Sequence, residues 1–203
     1  MISIKFCGFQ SASSVKQAVK LPIDALGFIL VSGRRRTVTL SQVAKWLPII
    51  PTRIASVGVF QNPTLEEVKE AIDVGLTAIQ LHGQETVDFC RQVKMYADIQ
   101  LIKVFSTHSL EKIASYRSYI DVVLLDHATG GVGKPIDWDC IPQTKQITEA
   151  NDLPLWIAGG LDENNVANLC ATYSINGIDL SSGIETDGTK DERKMKAIIE
   201  LVT

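Results

Sequence analysis

Arg53-Ile54-Ala55-Ser56-Val57-Gly58-Val59-Phe60, followed by Pro63-Thr64-Leu65-Glu66-Glu67 and then by Thr77-Ala78-Ile79-Gln80-Leu81, reads as one complete unit of the chain. The first stretch is apolar and rich in β-branched residues, the pattern of a short parallel strand covered on both faces. Thr64 stands where a helix begins, and Glu67, three residues on, completes a capping box. Gly75 closes that helix, and the third stretch reads as a second buried strand. Strand, helix, strand over about thirty residues is a βαβ unit, which makes the two strands parallel.

The same alternation extends in both directions. Apolar runs occupy residues 2–7, 24–30, 53–60, 77–81, 99–105, 120–126, 154–158 and 177–180. Helical signals fill the intervals, with Asp162-Glu163-Asn164-Asn165 starting one helix and Ser41, Thr86 and Ser109 as further candidate caps. The count is about eight strand–helix units, the number in a (β/α)₈ or TIM barrel. A doubly wound open sheet is the rival arrangement. A repeat unbroken to the C-terminus favours the closed α/β barrel with parallel strands, and residues 1–203 are read as a single domain.

Composition narrows the function. The chain is 45% hydrophobic and 21% charged with a net charge of −3, so no basic stripe suits a nucleic acid. No apolar run approaches a membrane span. The start shows no signal-peptide pattern, and a cytoplasmic protein is expected. Cys7, Cys90, Cys140 and Cys170 are widely spaced, as are His82, His108 and His127. Neither set has metal-ligand spacing, so neither a metal nor a cofactor is expected.

In such barrels the chemistry stands at strand C-termini. Cys7 ends the first strand and shares a face with Lys5 and Ser3, while Ile4 and Phe6 share the other. The apolar face should meet helices, which turns Cys7 into the barrel mouth. Asp126 ends the run Val122-Val123-Leu124-Leu125 and precedes the glycine-rich Thr129-Gly130-Gly131-Val132-Gly133. Desolvation there would let its carboxyl hold a proton to donate. Ala158-Gly159-Gly160 and Ser181-Ser182-Gly183 end the seventh and eighth strands, where these barrels bind phosphate. Arg34-Arg35-Arg36 follows the second strand and offers a clamp for a carboxylate. His82 ends the fourth strand as either a ligand contact or a structural hydrogen-bonding group. Lys5 and Asp179 both face inward, and an interior ion pair between them is expected, because a buried lysine without a partner is costly. His127 is read as pointing away from Asp126.

Taken in order, Lys5-Phe6-Cys7-Gly8, Leu26-Gly27-Phe28, Val57-Gly58-Val59-Phe60, Gln80-Leu81-His82-Gly83, Leu124-Leu125-Asp126, Gly130-Gly131-Val132-Gly133, Asp137-Trp138, Ala158-Gly159-Gly160-Leu161 and Gly177-Ile178-Asp179-Leu180-Ser181-Ser182-Gly183 resemble the phosphoribosylanthranilate isomerase family of tryptophan biosynthesis. That resemblance implies a TIM barrel and a cofactor-free Amadori rearrangement of N-(5-phosphoribosyl)anthranilate to 1-(2-carboxyphenylamino)-1-deoxyribulose 5-phosphate. It implies Cys7 as general base and Asp126 as general acid. It implies an arginine at the anthranilate carboxylate, matched best by Arg36, two residues before Val38-Thr39, with Arg34 and Arg35 as the alternatives. Asp179 matches an aspartate near the substrate amine. At position 132 the chain has Val132 where the family has a small hydroxyl residue. The expected partner is a small phosphosugar substrate, with no nucleic acid and no membrane, and the expected state is a monomer. The base must be ionised while the acid is protonated, so Cys7 is expected near positive potential and Asp126 desolvated.

Overall fold

A computed structural model of the chain describes residues 2–127 and 136–203. The glycine-rich stretch 129–133, with Val132, lies outside the described residues. Eight strands run in order around a closed barrel: β1 (Ser3–Cys7), β2 (Ala25–Ile29), β3 (Ala55–Phe60), β4 (Ala78–Leu81), β5 (Gln100–Phe105), β6 (Val122–Leu125), β7 (Leu155–Ile157) and β8 (Gly177–Leu180). Each is parallel to its neighbours, and β8 pairs with β1 to close the ring. Every apolar run read from the sequence is a strand; 177–180 matches β8 in full, and the others are trimmed by one or two residues at an end because pairing stops where the loops depart. The closed barrel, not the open sheet, is therefore the architecture.

Helices α1 (Ala12–Ala18), α2 (Leu40–Trp46), α3 (Leu65–Asp73), α4 (Val87–Tyr96), α5 (Ile113–Tyr116), α6 (Ile141–Glu149), α7 (Val166–Thr172) and α8 (Glu192–Val202) alternate with the strands. Thr64 caps α3 with Glu67 in a reciprocal box, and Thr86 caps α4 through the Phe89 N–H. Ser41 is not a cap. Thr39 holds the extended backbone of an N-cap and forms a capping box with Gln42, which leaves Ser41 inside the first turn. Ser109 precedes a 3₁₀ turn at Leu110–Lys112 without capping it, and accepts instead from the Ser106 N–H at 3.1 Å. Asn165 stands at the start of α7, but its side chain donates to Gly160 O at 2.8 Å and ties the helix to the loop after β7.

Strand alternation separates two apolar compartments. Ile4, Phe6, Leu26, Phe28, Leu125 and Ile157 belong to the layer between strands and helices. Cys7, Val57, Val59, Ile102, Leu124 and Trp156 belong to the barrel interior. Lys5 is registered against Asp179, and Cys7 against Gly27.

The N-terminal end of the barrel is sealed by a recurring bond. Asp24 Oδ2 accepts from the Ile4 N–H, Thr77 Oγ1 from Ser56, Asp121 Oδ2 from Leu101 and Asn176 Oδ1 from Leu155. In each case the residue just before an even-numbered strand satisfies an N–H at the first or second residue of the preceding odd one. After β8 the chain makes a short turn at Ser182–Ile184 and a two-stranded hairpin, β9 (Glu185–Thr186) with β10 (Thr189–Lys190), before α8.

Candidate active site

The strand C-termini open onto one cavity of about 420 Å³. Cys7, Arg36, His82, Asp126, Gly159, Gly160, Asp179, Ser181 and Ser182 all line it. Gly183 lines a smaller adjoining cavity of about 190 Å³, shared with Gly160, Ser182 and Lys194. The residues singled out from the sequence therefore converge at one end of the molecule, although they are drawn from six different strand ends.

Cys7 is buried, and its position depends on Gly27. A methyl group on Gly27 would stand 2.5 Å from Cys7 Sγ and 3.1 Å from Lys5 Nζ, so the thiol and the ammonium share the space a side chain would fill. Lys5, wholly buried, donates to Asp179 Oδ2 at 2.6 Å, which is the expected interior ion pair. Burial alone would pull the Lys5 ammonium down, but Asp179 and Cys7 outweigh it and hold its pKa above the ordinary value.

The expectation of a thiol made acidic by its surroundings is corrected. Burial, with the Asp179 charge beside it, pushes Cys7 up, and the nearby charges of Lys5 and Lys190 oppose that push without overcoming it. The cations are present, but the barrel mouth removes the thiolate from water, and desolvation wins. Asp126 behaves as expected: burial raises its pKa, against His82 and the His127 N–H, which donates to Oδ1 at 2.7 Å. His127 thus touches Asp126 through its backbone. His82 Nε2 lies 3.7 Å from Asp126 Oδ2 and 3.4 Å from His127 O, so it stands beside the acid and lines the cavity.

Gly159 and Gly160 both have positive φ, 85° and 60°, which turns the loop after β7 sharply at the cavity wall. With the turn at Ser182–Ile184, this places small residues side by side at the ends of β7 and β8, the position of phosphate sites in TIM barrels.

A comparison with known proteins gives the same reading. The family model described as "PRAI: N-(5'phosphoribosyl)anthranilate (PRA) isomerase" matches residues 4–201. The chain belongs to this family. The N-(5'-phosphoribosyl)anthranilate isomerase of Staphylococcus aureus strain Mu3 is 34% identical, covering 99% of this chain and 97% of that protein. The crystal structure of phosphoribosyl anthranilate isomerase from Thermotoga maritima is 27% identical with a TM-score of 0.86, covering 100% and 98% of the two chains. A structure of the isomerase in complex with reduced 1-(o-carboxyphenylamino)-1-deoxyribulose 5-phosphate has 26% identity and a TM-score of 0.84, with 100% and 98% coverage.

Two features of this isomerase were not legible in the sequence. The first is Glu185, on the hairpin beyond β8. Arg36 Nε and Nη2 donate to its two carboxylate oxygens at 2.6 and 2.8 Å, a bidentate fork. Lys190 Nζ and Arg35 Nη2 converge on the same carboxylate at 2.8 and 2.5 Å. Arg34, Arg35 and Arg36 all line the cavity, but it is Arg36 that is buried and held in one orientation. The second is the Lys103–Glu85 pair at 3.0 Å, almost fully buried, in which Glu85 also accepts from the Asn62 and Gly83 N–H groups. It fixes the loops that follow β3 and β4, and with them the base of His82.

Proposed function

We propose that this chain rearranges N-(5'-phosphoribosyl)anthranilate to its ribulose isomer, with Asp126 as general acid and Cys7 as general base. The observation that carries the reading is the pair itself: a desolvated carboxyl just after β6 and a thiol at the end of β1, lining one cavity whose other wall is the glycine turn and the Ser182–Ile184 turn. Asp126 gives its proton to the ribose ring oxygen, the bond from C1 to that oxygen breaks, and the nitrogen lone pair forms an iminium. The iminium acidifies the C2 proton, which Cys7 takes. The C2–H electrons become the C1=C2 bond of an enolamine, which tautomerises to the ketone. Over this sequence one proton moves from Asp126 to Cys7, and exchange with solvent resets the pair.

The raised thiol pKa fits this order. The cation that favours the thiolate arrives with the substrate, as the iminium forms beside Lys5 and Lys190. Arg36 binds the ring carboxylate through the face of its guanidinium fork that Glu185 leaves open. Gly159, Gly160, Ser181, Ser182 and Gly183 hold the phosphate, and Asp179 and His82 contact the central part of the substrate.

The test uses substrate generated from anthranilate and phosphoribosyl pyrophosphate, with turnover followed by the change in anthranilate-type fluorescence. Wild type should turn over. Cys7→Ala and Asp126→Asn should each lower kcat by roughly 10²–10⁴ with little change in KM, the range for a proton-transfer group. Near-normal turnover in either variant refutes that residue's role.

The chain is further proposed to act as a monomer in the cytoplasm. No helix among the described residues is long and apolar enough to cross a membrane. Among the described residues the exposed large apolar side chains are Val74, Met95, Tyr96 and Leu201, a modest area for a permanent interface. The isomerase of Thermotoga maritima is described as dimeric, so light scattering decides: the mass of one chain supports a monomer, and twice that mass overturns it.

A further inference from the structure

Gln80 is 2% exposed, sits on the inner face of β4 and lines the cavity. Its Oε1 has no hydrogen-bond partner among the described residues. The strand neighbours in register with it are Val59 and Ile102, both apolar members of the barrel interior, so neither register partner offers it a side-chain donor. A buried acceptor without a donor is a liability to the free protein and is rarely retained without a use. A second orphan belongs to a residue lining the same cavity. Asp179 gives one oxygen to Lys5, and its other, Oδ1, is unpaired among the described residues. β4 and β8 are four strands apart in a closed ring of eight, so these two residues line opposite walls of the same cavity.

Two unpaired acceptors across a cavity call for a ligand with donors on both flanks. The substrate proposed above has acceptors alone at its two ends, a carboxylate and a phosphate. Its donors lie in the middle: the amine N–H and the sugar hydroxyls. The nitrogen becomes cationic as the iminium forms, so the Asp179 carboxylate complements it, which leaves the hydroxyls to the opposite wall. We infer that Gln80 Oε1 accepts a hydrogen bond from a hydroxyl of the substrate's sugar chain, holding the reacting carbons between β4 and β8. This rests on the isomerase reading and adds a specificity contact to it. The contact reads the hydroxylated middle of the substrate, whereas Arg36 and the glycine turns read its charged ends.

The two possible roles of Gln80 have opposite signatures. A structural glutamine loses stability when replaced. A glutamine kept for the ligand loses binding, while the empty protein is relieved of an unpaired polar group. The experiment compares wild type, Gln80→Leu and the unbranched Gln80→Met in thermal unfolding without ligand, turnover, and binding of two probes. One probe is the reduced product, which carries the sugar hydroxyls. The other is N-(5-phosphopentyl)anthranilate, which keeps both anionic ends and the amine on a chain without hydroxyls. The inference expects an unchanged or higher Tm in at least one variant. In that variant kcat/KM and reduced-product affinity should fall on the order of ten-fold, as for one lost hydrogen bond, with no change for the hydroxyl-free probe. Equal losses for both probes, unchanged affinity for both, or a lowered Tm in both variants overturns it. Wild-type turnover in the same assay shows that such a failure belongs to Gln80 alone. A wild type that neither turns over nor binds either probe overturns the isomerase reading and this inference with it.

Discussion

Gly27 decides where the Cys7 thiol can stand. In the sequence it is one member of Leu26-Gly27-Phe28 with no evident task. In the barrel it is the register partner of Cys7, and a methyl group there would lie 2.5 Å from Sγ. The thiol is the movable end of a small side chain, so Gly27→Ala should displace it without unfolding the barrel. A displacement near 1 Å at a reacting group can cost about 10²-fold in rate. The expected outcome is a kcat about a hundred-fold lower with a Tm close to wild type, measured by steady-state kinetics and thermal unfolding. Unchanged kcat would mean that the position of Cys7 is not critical. At this scale the sequence revealed what strand alternation alone can carry: Lys5, Cys7 and Asp179 facing inward and the Lys5–Asp179 pair. It concealed Gly27 and Gln80, whose importance depends on a residue across the register or on a partner that is missing.

Among the elements, the β9–β10 hairpin is the one whose role was least visible, because it is short and its partners are far away in the chain. Glu185 lies 149 residues from Arg36, and no local pattern links them. The cations around Glu185 overcome its burial and hold its carboxyl at about 2 instead of 4.5. At ~1.36 kcal/mol per pH unit, that is worth up to about 3 kcal/mol of stability. The folded-state pKa lies below the unfolded one. The contribution is therefore present above pH 4.5 and is lost as pH falls from 4.5 towards 2. Burial acts against the pair from the other side, bringing Lys190 from 10.5 down to about 8. The unfolded chain then binds more protons between those values, so stability on the lysine side rises with pH through that window. The net worth of the cluster is accordingly smaller than the Glu185 shift alone. Urea unfolding at pH 7, 5 and 3 should show wild type losing stability below pH 4.5, and Glu185→Gln should be weaker at pH 7 with a flatter acid limb. Parallel acid limbs in the two proteins would remove Glu185 from this role. The caps give a smaller lesson of the same kind. Thr64 with Glu67 is readable as a box, but the cap of α2 is Thr39 and not Ser41, since hydroxyl residues two positions apart flank the helix start and only the backbone distinguishes them.

The whole molecule divides by its two ends. Asp24, Thr77, Asp121 and Asn176 seal the N-terminal end of the barrel with side-chain-to-backbone bonds, and the polar groups of the C-terminal end surround a cavity. That is the general division of labour in TIM barrels, with stability at the bottom and chemistry at the top. The barrel was legible because its signal is repeated: a run of buried strands, a helix with readable caps, and the same again to the end of the chain. The site was legible as a set of strand ends, since closing the ring necessarily gathers them. Its electrostatics were not, because the pKa of Cys7 depends on how far burial outweighs Lys5 and Lys190, a balance set by three-dimensional packing. The central claim is that Cys7 and Asp126 flank the reacting carbons of one substrate. Its most direct test is a crystal structure of this chain with the reduced product bound. The claim predicts Cys7 Sγ within about 3.5 Å of the sugar C2, the reach of a reacting group, with the Asp126 carboxyl on the oxygen that left C1 and the phosphate against Gly159 and Gly160. A ligand seated in the cavity with its C2 turned away from Cys7, or out of reach of Asp126, would contradict it.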